Sequence, residues 1–231
     1  MPGRNTTYHE QKETKYTLLL RQLLTELPPY ARDYFRAVEQ KTSAKTRVSY
    51  AYDLQVFFRF LLEKNPALSD KKMKEITLND IDHLASNDIE EYQEYLKYYE
   101  ADNGEQRNGA TSIAKKMSSL RSFLDYFYKK EMLAKNVAMQ VDMPKLHEKA
   151  IIRLEPDEVA IMLDNIENYE NQLTGKKRDF FLKTKVRDIA IITLFLGTGI
   201  RVSECVGLDV TDLNFRNNSI RIIRKGGNES V

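Results

Sequence analysis

Leu196-Gly197-Thr198-Gly199-Ile200-Arg201-Val202-Ser203-Glu204 is the stretch from which the rest of the chain is best read. Ahead of it runs Ile189-Ala190-Ile191-Ile192-Thr193-Leu194-Phe195-Leu196, apolar with no polar face, which predicts a buried helix. Gly197 is expected to stop that helix as a C-cap. A short helix over Ile200 to Leu208 then presents one guanidinium, Arg201, at its start. An Arg in that place can fork onto two oxygens of a phosphate, aided by nearby backbone N–H groups. Glu204 lies three residues on, shares the helix face of Arg201 and can hold the guanidinium in place. The same spacing also describes an ordinary surface Arg–Glu pair at a helix start.

Upstream, Lys176 to Arg187 is basic and feeds the apolar run. Pro156, with Asp157 and Glu158 in the first turn, opens the preceding helix. Downstream, Val210 to Phe215 and Ser219 to Arg224 read as strands joined by a turn at Arg216-Asn217-Asn218. Lys225-Gly226-Gly227-Asn228 is a second turn, and the chain stops where a third strand should begin. A Lys at the tip of such a turn can reach a substrate, or it is simply solvated. The Gly-Gly pair is no phosphate loop, because no G-x-x-x-x-G-K-[ST] pattern exists.

The N-terminal part is expected to be helical throughout. Lys15 to Leu27 has helical spacing and stops at Pro28-Pro29, and Tyr30 to Gln40 is a second short helix. Thr42 or Ser43 caps a longer helix to about Lys64, with an apolar face of Ala44, Val48, Ala51, Phe58 and Leu61. Lys41, Lys45 and Arg47 crowd its N-terminal end, where the helix dipole prefers acids, so an external anion is a reasonable explanation. Thr77 to Asp80 reads as a capping box, and Asn87 with Glu90 as a second start leading to about Glu100. Asn108 or Thr111 starts a basic helix whose apolar stripe is Ile113, Met117, Leu120, Leu124 and Phe127. Lys115, Ser119 and Ser122 lie off that stripe, cations and small hydroxyls that suit close approach to a phosphate backbone. Asn136 to Ala150, polar and broken by Pro144, is taken as a linker.

With 36 Lys and Arg against 34 Asp and Glu, the formal net charge of the 231 residues is only +2. That balance conceals segregation. Asp80 to Glu105 is strongly acidic, whereas Arg107 to Lys130 holds Arg107, Lys115, Lys116, Arg121, Lys129 and Lys130 against Asp125 alone. Either one face meets a polyanion, or two solvated helices pair by salt bridges. The composition, 42% hydrophobic with 10 Phe and 13 Tyr, excludes global disorder, and 9 Gly with 6 Pro exclude a collagen-like fibre. No apolar run approaches the about 20 residues that span a bilayer, and Met1 to Lys15 has no secretory signal core. A single Cys205 suits a reducing cytoplasm. His9, His83 and His147 stand far apart, so no metal site is readable.

Taken together, these residues resemble the tyrosine recombinases, the phage-integrase and Xer class of DNA strand-transfer enzymes. Thr198 to Glu204 is similar to the family's first arginine box, T-G-x-R-x-S-E, and Lys225 to its catalytic lysine in a β-hairpin turn. Tyr50 to Leu54, with Phe57 to Leu61, resembles the first core-binding helix, and Ala114 to Phe123 the DNA-facing helix. The resemblance implies a mainly α fold. An N-terminal extension (1–40) would precede a helical, SAM-like core-binding domain (41–135). A linker (136–152) would lead to the start of an α+β catalytic domain with a small antiparallel sheet (153–231). It implies Arg201 on the non-bridging phosphate oxygens, Lys225 as general acid and Glu204 in support. Lys41, Lys45, Arg47, Thr111, Lys115, Lys116, Ser119, Arg121 and Ser122 would face double-stranded DNA. It further implies a homo-tetramer on a DNA site in the cytoplasm, no cofactor, no metal and no membrane. The family's His-x-x-Arg box and tyrosine nucleophile, both C-terminal to the lysine hairpin, are not found; all 13 Tyr precede position 170. The expectation is therefore a C-terminally truncated recombinase fragment that binds DNA without cleaving it. Two alternatives stay open: a non-catalytic DNA-binding regulator that retains the fold, and a helical adaptor whose acidic segment binds another protein.

Overall fold

The computed structural model describes residues 7–101, 104–146, 150, 152–224 and 228–231, and the chain divides into two compact units, Met1–His147 and Glu148–Val231. Each is built around one long helix. Among the described residues, no helix is long and apolar enough to cross a membrane.

The first unit opens with α1 (Tyr8–Leu23), earlier than the expected Lys15. A capping box starts it: the Glu10 carboxylate accepts from the Thr7 N–H at 2.8 Å and the Thr7 hydroxyl from the Glu10 N–H at 3.3 Å. After Pro28-Pro29 come α2 (Ala31–Ala37) and a 3-10 turn at Glu39–Lys41. The long helix α3 (Ala44–Lys64) is capped by Ser43, whose hydroxyl accepts from the Thr46 N–H. The expected capping box at Thr77 and Asp80 begins α4 (Leu78–Asp82), and Lys71 Nζ closes on the same carboxylate at 2.7 Å. Next comes α5 (Ser86–Tyr95), which starts two residues before the expected place because Asp88 accepts from the Ala85 N–H at 2.7 Å.

That helix ends at Tyr95, not near Glu100. Tyr98–Ala101 (β1) instead pairs antiparallel with Gly104–Arg107 (β2), with Glu100 opposite Glu105. Paired aromatics favour the strand, and Gly104, at φ +100°, supplies the left-handed backbone beside the turn. The expected loop residues Asp102 and Asn103 lie outside the described residues. The basic helix α6 (Ala110–Lys129) is capped at Gly109. Asn108 is used otherwise, its amide donating to the Leu96 carbonyl at 2.8 Å.

The first unit's core forms where α3 meets its neighbours. Leu54, Phe57, Phe58 and Leu61 pack with Leu23, Tyr34, Tyr92, Met117, Phe123 and Phe127. Rings cross edge to face, Phe58 on Phe123 at 6.0 Å and Phe57 on Tyr92 at 5.1 Å. Of the expected extension, the described residues 7–40 share this core through Leu20, Leu23, Leu27 and Phe35. The expected linker also begins inside it. Val137, Ala138 and Val141 are buried, held by Arg121, whose guanidinium donates to the Ala138 carbonyl at 2.9 Å and to the Val141 carbonyl.

The second unit holds α7 (Pro156–Asn168), α8 (Gly175–Thr198) and α9 (Val202–Val206), with Pro156 at the first helical position as expected. Helix α8 runs two residues past the apolar segment, and Gly199, not Gly197, is its left-handed cap, at φ +65°. A 3-10 turn at Val210–Asp212 replaces the start of the first expected strand. What remains is Leu213–Asn214 (β3) antiparallel to Ser219–Ile220 (β4), then Ile222–Ile223 (β5) antiparallel to Glu229–Ser230 (β6).

The expectation that the apolar run is buried is corrected here. Ile191 is 37% exposed and Leu196 44%. A helix of 24 residues offers more apolar surface than α7, the short α9 and four two-residue strands can cover. Among the described residues of this unit only Glu204 and Ile222 are buried.

Asp53, 4% exposed, ties α3 to α6 through Lys116 Nζ at 3.0 Å and the Ser119 hydroxyl at 2.8 Å. Lys116→Ala leaves that carboxylate without its counter-charge. It should cost about 3–5 kcal/mol, read as a lower urea midpoint with unchanged slope. A midpoint within error of the parent would refute the role given to this pair.

Candidate functional site

Two clusters carry chemistry, one in each unit. In the second unit, Gly199 reverses the chain and its N–H donates to the Phe195 carbonyl at 2.9 Å. A left-handed residue there lets α9 start afresh, with its N-cap two residues later. Arg201 sits at the N-cap of α9 and is gripped twice by one carboxylate. Glu204 Oε2 accepts from the Arg201 N–H at 2.8 Å, and Oε1 accepts from Nη1 at 2.9 Å.

The two partners differ in exposure. The Glu204 side chain is 5% exposed and that of Arg201 67%. The guanidinium is thus anchored along one edge and keeps donors free toward solvent, the arrangement suited to a bound oxyanion. The Glu204 carboxyl is held below the usual carboxylate range, first by the Arg201 N–H hydrogen bond and then by the guanidinium beside it, with Arg224 adding to the effect.

Arg224 reaches this site because α9 packs against β5. Its N–H donates to the Asn228 carbonyl at 2.8 Å, closing the base of the hairpin between β5 and β6. Lys225, Gly226 and Gly227 lie outside the described residues. The structure thus brings together Arg201, Glu204 and Arg224. Arg224 was not singled out from the sequence, although its place beside Lys225 at a strand end was the available signal.

In the first unit, α3 and α6 lie side by side, with Lys115 Nζ 2.5 Å from the Ser49 hydroxyl. Lys41, Lys45, Thr111 and Lys115 are exposed. Lys45, Ser49 and Tyr52 follow at i, i+4 and i+7 on one face of α3, and Thr111 and Lys115 at i, i+4 on α6. Small hydroxyls between cations make this a surface a phosphate backbone can approach.

The other expected DNA-facing residues have internal partners. Arg47 is 5% exposed and donates to the Glu39 carbonyl at 2.9 Å and the Thr42 carbonyl at 3.1 Å, with its second nitrogen 3.3 Å from the Glu39 carboxylate. It therefore joins the 3-10 turn to α3, and the external anion inferred for it is not needed. Lys116 and Ser119 serve Asp53, Arg121 serves the carbonyls of 138 and 141, and the Ser122 hydroxyl accepts from the Tyr34 phenol at 2.9 Å. Helical spacing put these side chains off the apolar stripe. It could not show that α2, α3 and the 137–141 turn close over the flanks of α6. Asp53 was missed as well; a lone carboxylate between Ala51 and Leu54 on a buried face was its signal. Among the described residues, no group of three His, Cys, Asp or Glu is placed to hold a metal ion.

Residues 152–231 match the Phage integrase family, and residues 32–131 match the Phage integrase, N-terminal SAM-like domain. The chain is 34% identical over 201 residues to tyrosine recombinase XerC of Caldanaerobacter subterraneus subsp. tengcongensis, covering 85% of this chain and 51% of that protein. It is 30% identical over 227 residues to tyrosine recombinase XerS of Streptococcus pyogenes, and 31% identical over 221 residues to XerS of Lactococcus lactis subsp. cremoris. Each XerS alignment covers 87% of this chain and 62% of the relative. The chain thus spans about half to three fifths of the length of these relatives. No solved structure matches.

The Glu204 contact has a pH signature. A carboxyl depressed in the folded state stabilises the fold above its unfolded value, and the gain is lost as pH falls through the folded value. The Arg201 amide resonance should therefore titrate with a midpoint below 4.5, the ordinary Glu value, and Glu204→Gln should abolish the step. A midpoint at 4.5 or above would show that the carboxylate does not hold Arg201.

Proposed function

The chain belongs to the phage integrase family, and from that premise we propose that it is the DNA-binding and phosphate-gripping part of a site-specific tyrosine recombinase. The observation that carries the proposal is the doubly held, solvent-facing guanidinium of Arg201, inside a match to the integrase family, with Arg224 and the base of the Lys225 hairpin beside it.

In the proposed reaction a tyrosine hydroxyl attacks the scissile phosphorus and the bond to the 5′ oxygen breaks. A 3′-phosphotyrosyl link forms, and the reverse attack by a 5′ hydroxyl of another strand releases the tyrosine. Charge builds on the non-bridging oxygens as the phosphorus becomes five-coordinate, and Arg201 is the fixed cation that meets it. Glu204 fixes the orientation of that cation, so little reorganisation is needed at the transition state. Lys225 delivers the proton to the departing 5′ oxygen. Residues 1–231 contain no Tyr after Tyr169 and no His after His147, so the nucleophile and the His-x-x-Arg box are not among them. We propose that these 231 residues bind DNA and do not cut it. The intact recombinase would act as a tetramer on its DNA site in the cytoplasm, in mobile-element integration or chromosome-dimer resolution.

Binding rests on the exposed cations of the α3–α6 face, with Lys45 and Lys115 at its centre. Such contacts are mostly counterion release, so affinity should be micromolar or weaker and fall steeply with salt. Fluorescence anisotropy on a labelled duplex at low salt should show binding, and Lys115→Glu should weaken it about tenfold and lower the salt slope by about one. No anisotropy change at low salt would sink the reading. A nicked duplex incubated with the chain should give no covalent, SDS-resistant adduct, and an adduct would overturn the assignment of the nucleophile outside these residues.

A further inference from the structure

Helix α1 lies outside the residues matched to the SAM-like domain, which begin at 32. It packs along α3 and runs parallel to it. Glu13 Oε1 accepts from the Ala44 N–H at 3.3 Å, at the start of α3. Glu26, three residues past the end of α1, accepts from Gln55 Nε2 at 2.7 Å. No acid stands in the first turn of α3 itself. Glu13 therefore supplies from α1 the negative charge that the dipole of α3 prefers. The same hydrogen bond sets Lys12 and Lys15 level with Lys45 on the neighbouring helix.

Charge on the first two turns of α1 is divided by side. Residues advance about 100° each round a helix, so Tyr8, Lys12 and Lys15 fall within roughly 60° of one another. Glu10 and Glu13 fall roughly 140–200° round from Tyr8. Tyr8 and Lys15 are exposed and Lys12 is half-buried. Lys12 Nζ donates to the Tyr8 phenol at 3.0 Å and lies 4.8 Å from the centre of its ring, so this ammonium is held in place on the surface.

Arg47 shows which way that side opens. Thr17, Arg21 and Leu24 lie on the flank of α1 opposite Tyr8 and line a cavity walled by Arg47 of α3. On α3, Lys45, Ser49 and Tyr52 lie roughly 140–200° round from Arg47. The flank with Lys12 and Lys15 therefore opens on the side of Lys45, Ser49 and Tyr52, and Lys115 of α6 joins them at Ser49. Packed helix axes lie about 8–10 Å apart. The cations of α1, α3 and α6 thus form one surface across three adjacent helices.

We infer that α1 is a further nucleic-acid contact, in which Lys12 and Lys15 meet the phosphate backbone of the duplex that lies on Lys45 and Lys115. The inference rests on the reading above and adds to it a helix outside the matched domain. Phosphate contacts of this kind position a duplex and carry no sequence information. Helix α1 therefore adds affinity without adding base readout.

The test is fluorescence anisotropy of a labelled duplex with the 231-residue chain, titrated with salt. Each phosphate contact contributes about 0.9 to the slope of log K against log salt, so Lys12→Gln with Lys15→Gln should lower that slope by about 1.8. Affinity at about 50 mM salt should fall at least tenfold. Lys12→Arg with Lys15→Arg should keep both the slope and the affinity. Arg21→Gln with Arg32→Gln removes the same charge from the cavity side and should leave the slope within about 0.5 of wild type. All three variants should keep the helical circular dichroism of the parent. If the glutamine variant at 12 and 15 binds as wild type while Lys115→Glu still weakens binding, the inference is overturned and the recombinase reading stands. An equal fall in slope for the arginine pair would make the effect one of net charge and overturn it too. So would weaker binding at an unchanged slope, the mark of a structural role. A wild-type chain that binds no duplex at low salt removes both proposals.

Discussion

One buried carboxylate sets the geometry of the first unit. Asp53 faces α6 from a helix side that it shares with the buried Phe57, and it is satisfied there by an ammonium and a hydroxyl. An ionised group in that place is tolerated only with partners at hydrogen-bond distance. Lys116 and Ser119 supply them from successive turns of α6, and so fix both the rotation and the axial position of α6 against α3. The aromatic crossings of Phe58 with Phe123 and of Phe57 with Tyr92 then fill the space that this register leaves.

Register decides which cations are left for a ligand. With Lys116 turned inward to Asp53, Lys115 is turned outward beside Ser49, and Lys45 and Tyr52 fall on the same side. Arg121, five residues beyond Lys116, is spent on the carbonyls of the 137–141 turn. A basic helix is thereby divided into residues that hold the unit together and residues that face outward. The charge count alone could not make that division, because both groups carry the same sign.

What was legible in the sequence follows the range of the interactions concerned. Local signals read well: the Thr77 to Asp80 capping box, Pro156 at a helix start, the stripe from Ile113 to Phe127, and the hold of Glu204 on Arg201, which needs only three residues of helix. Signals that depend on what packs alongside read poorly. The burial of Arg47 and the use of Ser122 by Tyr34 both depend on partners 8 and 88 residues away. The end of α5 at Tyr95 was missed because the helix was carried on from its start to about Glu100, while two adjacent tyrosines and Gly104 favoured a hairpin. Gly197 and Gly199 could each end a helix, and the choice fell to Gly199, where the backbone turns left-handed.

The two units also divide the molecule thermodynamically. The first encloses a continuous apolar core, whereas α8 leaves Val186, Ile191 and Leu196 in contact with water already in the folded state. Heat capacity of unfolding measures apolar surface newly hydrated. The described residues of the second unit therefore contribute less to it than the N-terminal helices, whose buried side chains are newly hydrated on unfolding.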